Sequence, residues 1–392
     1  MSTSHHIAPS DKLSLVKTYY FARKLKEIAE LNSAGHDIIN LGIGSPDLAP
    51  PNIVPLTLTQ SLSLPKANQY QSYYGLPQLR EAFSDFYGKH FDTSLNPANE
   101  ILPLIGSKEG IMHIAMSFLD PGDEVLIPNP GYPAYKMTTL LAGGVPKFFS
   151  LTSESHWMPD FETIEKEDLT KVKLMWVNYP NMPTGQKGNK ELFRKLIAFG
   201  LKHNILICHD NPYAFILNEE PLSILSLPDA KKTAIELTSL SKCFNMAGWR
   251  VGAVLGSSEY LNHIIKFKSN MDSGMFMPMQ LAAAAALRVE PEWFINLNEV
   301  YNTRRTVVWK IYDALGIGYS KEGAGLFVWG KVPTGLGETW SDKLLGQAKV
   351  FITPGFIFGD NGSEYIRISL CSPVEKLEEA YGRIISVKQN II

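Results

Sequence analysis

The sequence predicts an α/β protein whose main part is a mostly parallel, doubly wound sheet. Two observations support this fold. Between about residues 100 and 255, short apolar runs typical of buried strands alternate with segments of helical periodicity. After residue 256 the pattern changes to long helices and a late pair of strands, which indicates a smaller α+β unit. With 392 residues, the chain is long enough for two domains.

The sequence of the N-terminal part predicts one helix and one short strand. Residues 1–10 are polar, and we expect them to be disordered. Apolar residues at helical spacing predict a helix over 13–34, which Gly35 would end. The run 38–47 predicts a strand that leads into a glycine turn. In that turn Gly44 would let the backbone approach a ligand closely, although an ordinary turn explains the pattern equally well.

Three tyrosines precede the next predicted helix. Tyr70, Tyr73 and Tyr74 come just before Gly75, and Pro77 is suited to the first turn of the helix that follows. Several aromatic residues on one loop indicate a binding site or an interface.

A strand, a glycine–serine turn and a helix follow one another in residues 101–119. The turn contains Gly106, Ser107 and Lys108. The unpaired N–H groups and the dipole of a helix start attract anions, so this turn is a candidate anion site. It lacks the spacing of a Walker P-loop. The alternative is that Ser107 only caps the helix.

Polar side chains follow the ends of three later strands. Asn181, Asp210 and Lys242 each lie just after a predicted strand. Parallel sheets of this class bind ligands outside the carboxyl ends of their strands, so one crevice could collect all three side chains. Tyr132 follows a strand on a proline-rich loop, where a rigid aromatic ring either packs or stacks on a flat ligand.

One short segment combines a lysine with phosphate-binding residue types. Ser239, Lys242 and Arg250 lie between apolar runs at 234–237 and 251–255, which predicts that the lysine is on a loop between two strands. A lysine amine can form a Schiff base with an aldehyde cofactor. An arginine and a serine can hold a phosphate. Taken alone, the lysine is also compatible with a plain surface position.

The C-terminal unit carries one notable charge. A helix is predicted over 293–315, strands over 323–332, 351–358 and 365–370, and a final helix over 373–387. Arg367 lies within the last apolar strand. Because buried arginines are seldom unpaired, it should meet an internal acid or bind an anionic ligand.

Composition excludes several classes of protein. The formal net charge of −2 argues against nucleic acid or an anionic membrane surface as a partner. Three widely spaced cysteines, Cys208, Cys243 and Cys371, form neither a disulfide framework nor a metal site. We see no signal peptide in the first ten residues and no apolar run of membrane-spanning length. The expectation is a soluble cytoplasmic protein without a metal.

In combination, these motifs resemble the class I/II pyridoxal-phosphate aminotransferases of fold type I, the aspartate aminotransferase superfamily. The shared features are Ser-x-x-Lys followed by an arginine, Asp-x-x-Tyr one strand earlier, Pro-Thr-Gly before that, and Arg-x-Ser near the end. The resemblance implies a large domain at 50–285 with a seven-stranded sheet. It also implies a small domain from 11–49 and 286–392, and a homodimer with shared active sites.

The resemblance assigns catalytic roles to three residues. Lys242 would form the Schiff base with pyridoxal 5'-phosphate and move the proton. Asp210 would pair with the pyridine nitrogen, and Tyr213 would bond the phenolic oxygen of the ring.

It also assigns binding roles. The residues implied to contact the cofactor, besides those three, are Ser107, Lys108, Ser239 and Arg250 at the phosphate, Tyr132 on the ring, Asn181 near the phenolic oxygen, and Tyr70 reaching the partner subunit's phosphate. Gly44 and Arg367 would hold the α-carboxylate of the substrate.

One position departs from the family pattern. The usual Asn-Pro-Thr-Gly, whose asparagine also bonds the phenolic oxygen, is here Met182-Pro183-Thr184-Gly185. Either Asn181 takes over or that hydrogen bond is missing. Losing one hydrogen bond to a charged group would raise the pKa of the Schiff base by about one to two units.

The implied reaction is transfer of an amino group from an L-amino acid to a 2-oxo acid by a ping-pong mechanism. The segment 266–280 lacks an arginine for a second carboxylate, which favours neutral, apolar or aromatic donors with glutamate and 2-oxoglutarate as a partner pair. Features of the diaminopimelate and alanine branches are also present. The alternatives are a carbon–sulfur or cyclopropane-forming lyase on the same scaffold, a regulatory domain that only binds the cofactor, and a cofactor-free binding protein.

Overall fold

A computed structural model describes residues 7–16 and 20–391 of the chain. Residues 1–6, on which most of the predicted disordered segment falls, lie outside the described part. The strands of the described part are β1 (Ile39–Asn40), β2 (Ile101–Leu104), β3 (Glu124–Asn129), β4 (Val145–Ser150), β5 (Val172–Val177), β6 (Leu206–Asp210), β7 (Ala234–Ser239), β8 (Gly252–Leu255), β9 (Gly318–Tyr319), β10 (Phe327–Lys331), β11 (Val350–Phe351), β12 (Thr353–Pro354) and β13 (Tyr365–Ser369).

A seven-stranded sheet forms the centre of the molecule. Its strand order is β2-β8-β7-β6-β5-β3-β4, and β8 pairs antiparallel with both of its neighbours while the other pairs are parallel. The central strands β5 and β6 are buried except at Lys173, as expected for parallel strands covered by helices. The predicted mostly parallel seven-stranded sheet is confirmed.

Helices cover both faces of this sheet and pack on the smaller sheet. They are α1 (Tyr20–Ser33), α2 (Ile53–Ser61), α3 (Pro77–Phe91), α4 (Ser107–Phe118), α5 (Pro133–Leu141), α6 (Phe161–Ile164), α7 (Lys190–His203), α8 (Leu240–Cys243), α9 (Ser258–Lys268), α10 (Met277–Ala286), α11 (Glu292–Leu315), α12 (Gly337–Lys343) and α13 (Val374–Ile391). One core lies between the large sheet and α4, α5 and α9. A larger core lies on the opposite face and continues into the C-terminal part.

The C-terminal part contains a four-stranded antiparallel sheet, ordered β12-β13-β10-β9. The short strand β1, from the N-terminal part, pairs in parallel with β11. This pairing joins residues from both ends of the chain. The predicted limits of the two domains, 50–285 for the large one, stay a prediction.

The structure differs from the sequence-based elements in several places. Within the described part of the predicted helix over 13–34, the regular helix covers Tyr20–Ser33, and a separate 3₁₀ turn covers Asp11–Leu15. Lys242 lies in the short helix α8 rather than on a loop, because the Ser239 hydroxyl caps a helical turn directly after β7. The predicted strand over 323–332 is limited to β10. Within the described residues, none of the helices has the length and apolarity needed to cross a membrane.

Candidate active site

A cavity of about 420 Å³ lies beyond the carboxyl ends of β5, β6 and β7, where the large sheet meets β10 and β13. Side chains or backbone of most predicted site residues line it: Gly44, Ser107, Lys108, Tyr132, Asp210, Tyr213, Ser239, Lys242, Arg250 and Arg367. These residues are far apart in the sequence, and the topology of the parallel sheet brings them together.

Lys242 reaches across the cavity from α8. Its Nζ donates a hydrogen bond to the backbone oxygen of Gly44 at 2.6 Å. Burial lowers the pKa of the Lys242 amine, and the positive charges of Arg367 and Arg250 act in the same direction. A lysine whose neutral form is favoured in this way is suited to act as a nucleophile or a base.

Asp210 lies at the end of β6 and is buried. The Tyr135 hydroxyl donates to its Oδ2 at 2.9 Å, while Oδ1 is buried and has no hydrogen-bond partner within the described part of the chain. Burial raises the pKa of Asp210 to about 6, and the bond from Tyr135 opposes this shift. The unpaired Oδ1 can accept a hydrogen bond from an N–H group of a ligand in the cavity.

The other end of the cavity is built to hold an anion. Helix α4 begins at Ser107, so its first N–H groups face this end. Gly106 has φ +84°, and a Cβ atom there would lie 2.2 Å from Nη2 of Arg250. The Arg250 guanidinium donates to the backbone oxygen of Ala247 at 2.9 Å and lies 3.4 Å from the Ser241 hydroxyl. Guanidinium, hydroxyl and backbone N–H groups together suit a phosphate.

Arg367 is held between aromatic rings. Its guanidinium carbon lies 3.7 Å from the ring centre of Phe327 and 4.6 Å from that of Phe358. The same group donates to the backbone oxygen of Gly42 at 3.0 Å and contacts the sulfur of Met182 at 3.2 Å. A buried guanidinium at the cavity wall is a suitable site for a carboxylate.

Two predicted aromatic residues also lie in the cavity wall. Tyr132 is the N-cap residue of α5 and contacts Tyr135 edge to face, with ring centres 5.6 Å apart. The ring of Tyr213 lies edge to face against Phe327 at 6.1 Å. Both rings are therefore held by packing.

Two predicted residues are not brought to the cavity wall. Asn181 is buried, but its Oδ1 accepts from the backbone N and the hydroxyl of Thr184, and its Nδ2 donates to the backbone oxygen of Asn178. Its side chain therefore holds the turn. Tyr70 is 91% exposed and lines a separate cavity of about 190 Å³ together with Gly274 and Phe276.

Sequence reasoning missed several residues that line the cavity, among them Tyr135, Asn178, Ser241 and Phe327. Two of them could have been found from their place in the sequence, because Ser241 is adjacent to Lys242 and Asn178 directly follows β5. Tyr135 and Phe327 look like ordinary core residues in the sequence. Only the packing of α5 and β10 against the site shows their position.

A cluster of possible metal ligands lies outside this cavity. Carboxylate oxygens of Glu109 and Asp272 and a ring nitrogen of His113 lie within 4.8 Å of one another. The ammonium of Lys268 is 2.6 and 2.8 Å from the two oxygens of Asp272. Because this ammonium already supplies the positive charge, we interpret the cluster as an ion-pair network.

Comparison with known proteins identifies the family. The model of the aminotransferase class I and II family matches residues 36–384. The chain belongs to this family. It is 38% identical over 382 residues to an LL-diaminopimelate aminotransferase of Dehalococcoides mccartyi, covering 97% of this chain and 98% of the relative. An enzyme of the same name from Desulforudis audaxviator is 40% identical over 369 residues, covering 93% and 94%.

Solved structures agree with this family. Substrate-bound BacF from Bacillus subtilis superimposes with a TM-score of 0.92 at 35% identity, covering 97% of this chain and 98% of that one. An aromatic aminotransferase from Pyrococcus horikoshii gives a TM-score of 0.88 at 28% identity, covering 97% and 99%. The aminotransferase prediction is therefore confirmed, and none of these similarities favours the lyase alternative.

The family and its fold imply pyridoxal phosphate, and the residues in the cavity fit that group. The anion-binding end suits its phosphate, and the unpaired Oδ1 of Asp210 suits a protonated pyridine nitrogen. Lys242 lines the same cavity.

Proposed function

We propose that this aminotransferase binds pyridoxal 5'-phosphate through Lys242, with the phosphate at the start of α4 and the pyridine nitrogen at Asp210. The observation that carries the proposal is the unpaired, buried Oδ1 of Asp210 in the same cavity as the lowered-pKa amine of Lys242. Arg250, Ser239 and Ser107 contact the phosphate in this arrangement.

When bound, the cofactor supplies an electron sink for the carbon that loses its proton. The chain supplies the remaining functions. Lys242, as a neutral amine, would remove and return the proton. The carboxylate of Asp210 would keep the pyridine nitrogen protonated, and the Tyr213 hydroxyl would bond the phenolic oxygen. Arg367 and the backbone at Gly44 would hold the substrate carboxylate, and Tyr132 would pack on the ring.

The substrate end of the cavity favours an apolar amino donor. The apolar side chains of Phe21, Leu25, Ile43, Phe327 and Phe358 line the cavity, and the rings of Phe21, Phe327 and Phe358 lie around the Arg367 guanidinium. Within the described cavity wall, the acidic side chain is Asp210, which the cofactor would occupy. We therefore propose a neutral, apolar or aromatic L-amino acid as donor, with 2-oxoglutarate as the acceptor.

LL-diaminopimelate is the second candidate donor. The full-length relatives at 38–40% identity carry that name. Its distal ammonium and carboxylate would need additional charged partners in the site. The reaction rates of the two candidate donors, measured in one substrate panel, therefore distinguish them.

The test is the absorbance spectrum of the purified protein before and after single amino acids are added. A visible band that moves to the near ultraviolet is expected, fastest with phenylalanine or another apolar donor. A faster response to LL-diaminopimelate would favour the second candidate. Pyruvate formed without an acceptor would favour the lyase. No band after added cofactor would overturn the proposal.

Lys242→Ala provides the matched variant. It should bind the cofactor without the visible band of a lysine Schiff base and should lose transamination. Lys166→Ala, at an exposed lysine, is the control and should behave like the wild type. A visible Schiff-base band in Lys242→Ala would show that another lysine holds the cofactor.

The assembly and the compartment are also proposed. We propose a homodimer in which Tyr70 contacts the cofactor phosphate of the partner subunit, since the exposed Tyr70 adjoins further exposed apolar side chains such as Phe276. We propose a cytoplasmic location because the three cysteines are unpaired and buried. Fractionation of cells that express the protein tests the location.

A further inference from the structure

A buried histidine and a buried glutamate face each other beside the catalytic aspartate. His209 on β6 and Glu236 on β7 are direct neighbours in the strand register, and both side chains are fully buried. Nδ1 of His209 lies 2.8 Å from Oε2 of Glu236. Neither residue contacts the cavity, so the reaction proposed above does not use them.

The carboxylate of Glu236 accepts hydrogen bonds from several elements. The Tyr87 hydroxyl on α3 donates to Oε1 at 2.7 Å. The Ser223 hydroxyl and the backbone N of Ile224 donate to Oε2 at 2.9 and 3.0 Å. These donors satisfy both oxygens of the buried carboxyl group.

The hydrogen bonds of His209 constrain its tautomer. Its Nδ1 faces the Glu236 carboxyl group, and its Nε2 lies 3.0 Å from the backbone oxygen of Tyr179. A backbone oxygen is only an acceptor, so Nε2 must carry hydrogen. If Glu236 is a carboxylate, Nδ1 must donate to it as well, and the pair is an imidazolium with a carboxylate.

This ion pair is coupled to Asp210 through the backbone. Asp210 follows His209 on the same strand, and successive side chains of a strand point to opposite faces of the sheet. The next residue, Asn211, directs its Nδ2 to Oε1 of Glu236 at 3.4 Å and to the backbone oxygen of Leu222 at 2.9 Å. The residues on both sides of Asp210 are thus bound to one carboxylate.

We propose that the His209–Glu236 pair positions Asp210. It holds the carboxyl end of β6 in place, so that Oδ1 of Asp210 lies where it can accept a hydrogen bond from the pyridine nitrogen. The two residues and their hydrogen-bond partners come from five segments: β6, β7, α3, the turn after β5 and the loop before Ile224. Because a displacement of about 1 Å can cost on the order of 100-fold in rate, loss of this pair should have a measurable effect on the reaction rate.

The proposal rests on the role proposed for Asp210, but its first test does not. Nitrogen-15 NMR of the cofactor-free wild-type protein, with the signal assigned by His209→Gln, reports the ring directly. We expect two protonated nitrogens at neutral pH. A single N–H group on the ring would overturn the ion pair whatever the function of the protein.

The second test separates positioning from simple stability. His209→Gln should weaken cofactor affinity and lower kcat by about tenfold or more while KM for the amino donor changes little. His203→Gln is the control, because His203 forms a similar pair with Glu165 at 3.0 Å near the surface. It should leave both quantities unchanged.

Outcomes are distinguishable in this design. If His209→Gln lowers only the melting temperature and keeps cofactor affinity and kcat within about twofold of the wild type, the pair is structural and the positioning role is wrong. If Asp210→Asn itself retains full cofactor affinity and kcat, the site proposed for the cofactor is wrong, and the NMR result still decides the charge state of His209.

Discussion

Nζ of Lys242 donates a hydrogen bond to the backbone oxygen of Gly44 at 2.6 Å. This contact joins the helix after β7 to the segment after β1, which are 198 residues apart in the chain. It places the amine beside the backbone proposed to hold the substrate carboxylate. The amine proposed to transfer the proton and the backbone proposed to bind the substrate are thus neighbours.

Gly106→Ala should weaken cofactor binding by about tenfold or more. The added Cβ would lie 2.2 Å from Nη2 of Arg250, so the guanidinium must leave its position at the proposed phosphate site. Equilibrium dialysis with pyridoxal phosphate measures the loss. Gly122→Ala is the control, since Gly122 also has positive φ, +92°, but nothing within 4 Å of the added atom. Equal affinity in Gly106→Ala and the wild type would contradict the phosphate site.

Cofactor affinity should fall as the pH decreases through about 6. Burial raises the pKa of Asp210 from 3.8 to about 6 in the protein without cofactor. Below that pH the carboxyl group is protonated and no longer attracts a protonated pyridine nitrogen. Above it the charged form is available. A binding titration between about pH 5 and 8 measures this step.

Asp210→Asn serves as the control for the pH titration, because it keeps the shape and removes the ionisation. The titration of the cofactor itself remains in this variant and can be subtracted. A step of the same size in Asp210→Asn would show that the pH dependence belongs to the cofactor.

Met182→Asn should lower the pKa of the Schiff base at Lys242 by about one to two units, because it returns a hydrogen-bond donor to the phenolic oxygen. The structure supports the missing donor in the wild type, since the side chain of Asn181 is bonded to Thr184 and Asn178. A spectrophotometric pH titration measures the shift.

Met182→Leu is the matched variant, with similar volume and no donor. Its Schiff-base pKa should equal that of the wild type. An unusually acidic pKa in the wild type, or an unchanged pKa in Met182→Asn, would refute the missing-donor hypothesis. Because the Met182 sulfur contacts Arg367, both variants should also be checked for a change in KM.

Tyr70→Ala and Lys242→Ala should complement each other in a mixed dimer. Tyr70 is 91% exposed in one subunit, and we propose that it completes the partner's site. A heterodimer then contains one intact site and should show about half of the wild-type activity per dimer. Co-expression with two different tags yields this species. Activity no higher than that of the two parent homodimers would contradict the shared site.

The sequence by itself determined the fold class and many residues of the candidate site. Apolar runs and helical periodicity are local signals, so they indicate the alternating strands and helices of the large sheet. Lys242, Asp210 and Arg250 were identifiable because each belongs to a short motif. Their convergence on one cavity follows from the general rule that parallel strands end at the same edge.

Tertiary structure decided the contacts between distant residues. The Tyr135 hydroxyl donates a hydrogen bond to Asp210, which is 75 positions away in the sequence. Arg367 contacts Met182, which is 185 positions away. The direct opposition of His209 and Glu236 depends on the register of β6 and β7. Periodicity carries no information on strand order or register, because these result from packing over the whole core. The partners of buried polar groups therefore become visible only in the folded chain.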